Sequence, residues 1–108
     1  MTADHAEAAI RGSIGGDLGA IAWLAAHATG SEDPVVVTVA GLFARSPADL
    51  DRAAGLATSS RDRQIVSIAR AHLRGDADLV DALARDHLAD HPDSIVVAWI
   101  AAGAENAP

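Results

Sequence analysis

From Ser60 to Gly103 the chain reads as a helical stretch ending at Gly75-Asp76, a second helical stretch, and His91-Pro92 opening a third. Gly75 and Pro92 stand 17 positions apart, room for one helix of about four turns. A Gly just past a helix end takes the left-handed conformation cheaply, the following Asp caps the next helix, and Pro is tolerated in a first turn. The order therefore predicts a helical hairpin followed by one more helix. A second copy lies upstream: Ile10-Arg11-Gly12-Ser13-Ile14-Gly15-Gly16-Asp17 aligns with Ala69-Arg70-Ala71-His72-Leu73-Arg74-Gly75-Asp76 at an offset of 59. After one deletion, Asp33-Pro34 and its Val-rich sequel match His91-Pro92 and Ile95-Val96-Val97. The predicted internal repeat spans about 8–44 and 67–103, and stacked units of this kind bury a core that no single unit could.

Seven helices are expected along the chain. The first runs from about Ala3 to Ile14 and breaks at Gly15-Gly16. Asp17 caps the second, whose apolar face is Leu18, Ile21, Trp23, Leu24 and Ala28. Glu32-Asp33-Pro34 opens the third, Val35 to Ala44, which is β-branched enough to read as a strand but has no second strand to pair with. Ser46-Pro47 opens the fourth, which closes between Gly55 and Thr58. Ser60 caps the fifth, with Ile65, Ile68, Ala69, His72 and Leu73 on one face. The sixth begins at Asp76 and the seventh runs from Asp93 to about Ala102, before a loose tail over 104–108.

The 108 residues fit one domain, half of them apolar, and much of that half is Ala. Trp23, Trp99 and Phe43 are the aromatics, so the core is expected to be closely packed helices with little bulk between them. All eight basic side chains are Arg, which removes Schiff-base chemistry and the phosphate-loop lysine. A net charge of −7 argues against nucleic acid, where contacts to phosphate dominate. There is no Cys, no apolar run long enough to span a membrane, and no basic region followed by an apolar leader, so a cytoplasmic protein without membrane contact is expected. Charge is uneven: residues 45–74 carry six Arg against three Asp, and 75–108 carry seven acids against Arg85. Antiparallel fifth and sixth helices would set Arg70 and Arg74 beside Asp78 and Asp81, as pairs on a solvated face.

Arg61-Asp62 opening a helix, Leu73-Arg74-Gly75-Asp76, and His87-Leu88-Ala89-Asp90-His91-Pro92 together resemble a tetratricopeptide-like protein. They are most similar to the N-terminal part of the tetratricopeptide repeat protein 38 family. Asp33-Pro34 and Leu50-Asp51-Arg52-Ala53 sit where that family has an earlier Asp-Pro and an Asp-Leu-Ala-rich helix. The resemblance implies an all-α fold of about seven short antiparallel helices in a hairpin array, and a scaffold for protein contacts with no catalytic residues to transfer. The large aromatics usual in the first helix of such a repeat are absent from residues 61–74.

The remaining constellations are weak. Gly12, Gly15, Gly16 and Gly19 make a Gly-rich run without the Lys, strand or spacing of a phosphate loop, which leaves a frayed first helix or a close helix-helix approach. His87 and His91 are four apart, the spacing that sets two imidazoles on one face for a metal, with His72 and Asp90 as further donors. Yet His87 continues the Leu79, Leu83 row, and a core-edge histidine beside a helix-end histidine is the simpler reading. No Ser lies in a nucleophile-elbow pattern, and Asp76 and Asp78 sit in a solvated helix start, so neither catalysis nor a cofactor is expected.

The seventh helix, Ile95 to Ala102, is apolar all round, whereas the end of a helical array needs a polar outer face. Something should cover it: a second copy, another protein, or earlier helices if it turns inward. Ile95, Val96, Trp99 and Ile100 are thus the predicted partner-binding residues. The sequence points to a non-catalytic protein-interaction module that homodimerises or docks a partner through this helix. Two alternatives stay open, an accessory subunit stabilising an enzyme and a small-ligand domain with a pocket near Trp23 and His72.

Overall fold

The computed structural model describes residues 2–103, with side chains from residue 5 onward. Among them are seven helices and no strand: α1 (Thr2–Ile14), α2 (Leu18–Ala28), α3 (Pro34–Ala44), α4 (Pro47–Leu56), α5 (Ser60–Leu73), α6 (Ala77–Asp90) and α7 (Ile95–Ala101). The expected tail over 104–108 lies outside the described residues. Pro34 and Pro47 each occupy a first turn, where the missing N–H costs nothing. The Val-rich third segment is helical because it is the central element: Val36 to Leu42 are all buried, and four neighbours enclose it. Enclosure of this kind overrides β propensity. The cap of α5 is Ser59, whose hydroxyl accepts from the Asp62 N–H, one residue before the expected Ser60.

The three odd-to-even connections share one turn. At α1–α2, the Gly16 N–H donates to the Ser13 carbonyl and the Asp17 N–H to the Gly12 carbonyl. At α3–α4 the same two bonds run from Arg45 to Leu42 and from Ser46 to Gly41, and at α5–α6 from Gly75 to His72 and from Asp76 to Ala71. This is the Schellman closure, with a left-handed residue followed by one that caps the next helix. The left-handed residues are Gly16 (φ 89°), Arg45 (φ 51°) and Gly75 (φ 76°). Asp17, Ser46 and Asp76 then cap with their side chains. Gly103, at φ 105° and with its N–H bonded to the Ile100 carbonyl, repeats the left-handed residue and the first of these two bonds at the end of α7. These positions are 29, 30 and 28 residues apart. The repeating unit is therefore a single hairpin, and the sequence offset of 59 counts two of them.

The odd helices also pack on one another. α1 touches α3, α3 touches α5, α5 touches α7, and α7 returns to α1. The even helices α2, α4 and α6 lie outside this group, each between two odd ones. The main core, including Ile10, Leu24, Leu42, Ile65, Val97 and Ile100, runs through the ring of odd helices. At the fourth position before Gly16, Arg45 and Gly75 the chain carries little bulk, as Gly12, Gly41 and Ala71. A Cβ on Gly12 would stand 2.9 Å from the Ala20 Cβ, and one on Gly41 3.0 Å from the Asp49 Cβ. Close helix approach, not fraying, accounts for Gly12.

Candidate functional site

The predicted docking residues divide. Val96 and Ile100 are buried in the main core, while Ile95 and Trp99 are half-buried against it. Trp99 stacks on Phe43 with ring centroids 5.2 Å apart. The last helix is not left uncovered, because α5, α6 and α1 all pack on it and take its apolar side chains inward. Its outward positions are Ala98, Ala101 and Ala102.

A different element carries an uncovered apolar face. α2 has no Asp, Glu or Arg, and it packs only on α1 and α3 among the principal helix contacts. Leu18, Ala22, Ala25 and Ala26 lie outward along one side of it, and Leu18 keeps 80% of its surface exposed. On the neighbouring α1, Glu7 and Arg11 neutralise each other in an exposed pair at 3.2 Å. Among the described side chains of the first hairpin, Asp17 at the turn is then the one acid outside this pair, in a chain of net charge −7. The spacing of Leu18 puts it on an apolar face of the helix but does not show that this side faces outward.

The ligand-pocket residues are not brought together. Trp23 is held within the first hairpin, stacked on His27 at 4.1 Å and tilted against His5 at 4.6 Å. The His27 Nδ1 donates to the Trp23 carbonyl at 2.8 Å, which fixes that ring over the indole. His72 instead lines a cleft of about 240 Å³ formed by the end of α5, the start of α6 and the end of α7, with Asp76, Val80 and Ile100 among its walls. An equivalent cleft one hairpin earlier is walled by Leu50, Asp51, Arg70 and Leu73. There Asp51 receives Arg70 across the cleft. The expected pairing of Arg70 with Asp78 or Asp81 does not form, because α4 packs on α5 and sets Asp51 beside Arg70, and Asp81 pairs with Arg85 on its own helix.

The histidine pair is structural in its surroundings. His87 is 1% exposed, and its Nδ1–H donates to the Gln64 Oε1 at 2.7 Å, which leaves Nε2 as the lone-pair nitrogen, buried without a partner. The His91 ring lies 4.7 Å away. Burial holds the His87 pKa below the usual imidazole value, nearby His91 and Arg61 lower it further, and Asp90 opposes them. His72 does not face this pair: it lies eight residues along α5 from Gln64, about 12 Å of helix. Among the described residues no three His, Cys, Asp or Glu side chains are grouped to hold a metal. Arg52 serves the scaffold, donating to the Ser31 carbonyl at 2.9 Å and to the Ala28 carbonyl, where it caps the end of α2.

No helix among the described residues is long and apolar enough to cross a membrane. No family model, curated protein or solved structure matches the chain.

Proposed function

We propose that the chain is a non-catalytic helical-hairpin module that works by protein association, with a second copy of itself as the first partner. The observation that carries this reading is the outward face of α2, an uncharged strip led by Leu18 on an otherwise acidic molecule. Along the strip a copy meets no acid beyond Asp17 at its start, whereas the face of α6, with Asp78, Asp81 and Asp86, repels it. Small side chains at 22, 25 and 26 let two α2 helices approach closely about a two-fold axis. One 11-residue helix per side makes a small interface, so association is expected to depend on concentration.

The repeated hairpin supports a tetratricopeptide-like scaffold in general architecture. Its period of 28–30 residues is shorter than the 34 of that repeat, so the likeness rests on turn chemistry and stacking. Ile95 and Trp99 remain a secondary docking edge on α7, since both reach the surface in part. Light scattering over a concentration series tests the proposal. The native chain should approach dimer mass, Leu18→Glu should remain monomeric while folded, and equal masses for the two would remove α2 as the interface.

A further inference from the structure

We propose that the corner between α6 and α7 is an acid-sensitive latch, in which protonating His87 releases α7 and uncovers Val96, Trp99 and Ile100. The inference concerns the monomer and stands whether or not the module associates through α2.

The geometry of the corner stores the trigger. His87 sits in the last turn of α6 with its Nδ1–H committed to Gln64 of α5 at 2.7 Å. A proton could enter only at Nε2, which is buried and meets no acceptor in the protein. The resulting cation would face Arg61 of α5 and the His91 ring at 4.7 Å, with Asp90 as its counter-charge. Asp86 and Arg63 border the cleft beside it and offset each other, and α7 carries no charged residue. A buried cation without an acceptor is costly, and reaching water relieves it. Moving His87 outward breaks the Gln64 bond and loosens the packing under the closing turn, in which the His91 N–H donates to the His87 carbonyl at 2.8 Å.

Three features make α7 the element that yields. It is seven residues long, too short to stay helical without packing. Its N-cap Ser94 makes no side-chain capping bond, and the Ser94 Oγ is buried without a partner. The Ser94 N–H also depends on the His91 carbonyl, at 3.1 Å, which ties the start of α7 to the turn that His87 disturbs. Local opening is drawn from such weakly held elements.

The test is a titration of the full chain from pH 8 to 5 in a Trp23→Phe background, which leaves Trp99 as the one fluorophore. Imidazole NMR resonances follow His87 in the same samples. The proposal expects His87 to titrate below the ordinary imidazole range and the Trp99 emission to shift red in step with it, as the ring leaves Phe43. His91→Gln should raise the His87 midpoint and reduce the red shift, because one repelling neighbour is gone. His87→Gln, if it folds, should abolish the shift. Trp99 emission unchanged down to pH 5, or His87 titrating in the ordinary range without a fluorescence change, would overturn the latch. Neither outcome bears on the α2 dimer, which is read from mass at neutral pH.

Discussion

Gly12 and Gly55 are both helical glycines, and their surroundings give them opposite responses to alanine. Nothing stands within 4 Å of a Cβ on Gly55, so Gly55→Ala should gain helix propensity and raise stability by up to about 1 kcal/mol. At Gly12 the same gain is outweighed, because the added methyl meets Ala20 at 2.9 Å and α1 and α2 must move apart. Gly12→Ala should lose about 1–3 kcal/mol, read as a lower thermal midpoint. His87 adds a pH dependence whose sign follows from its burial. Its pKa is lower in the folded chain than in the unfolded one, so the unfolded chain takes up the proton first. Its contribution to stability is complete above about pH 6.5, is lost as pH falls from there toward the folded value, and then levels off. Melting points across this range should show the slope in the native chain and a flatter curve in His87→Gln. The placement of His87 on a core-facing row was legible from its spacing after Leu79 and Leu83. Its bond to Gln64 was not, because residues 23 positions apart are paired only by the hairpin.

Helix ends carry the next level of organisation, and their caps differ in a way that mutation can read. Asp17, Ser46 and Asp76 accept backbone N–H bonds, so replacing each by Ala should cost about 1 kcal/mol, with the effects adding because the sites are separate. Ser94 makes no such bond, and Ser94→Ala should change stability by less than about 0.5 kcal/mol in urea unfolding. Two of the three hairpin turns were visible in the sequence, because Gly followed by Asp satisfies the left-handed position and the cap together. The middle one showed only its Ser46-Pro47 cap. Arg45 holds the left-handed conformation without being Gly, so the chain read as two long copies instead of a succession of single hairpins. Helices between strong caps were placed within a residue or two, even where Val-rich composition favoured a strand.

At the scale of the whole molecule, sequence periodicity describes faces but not which neighbour covers them. α7 is apolar all round and looked uncovered. It is covered because the odd helices close on one another, bringing α1 to α7 across most of the chain length. α2 also lacks Asp, Glu and Arg but lies outside that group, so its outward strip stays open. The association account therefore places the partner on the first hairpin, not the last helix. Isotope-filtered NMR on a mixture of labelled and unlabelled chains tests this most directly. At concentrations where the mass is that of a dimer, intermolecular contacts should join the methyl groups of Leu18, Ala22 and Ala26 on one copy to the same strip on the other. Contacts confined to Ile95 and Trp99, or none at all from α2, would contradict it.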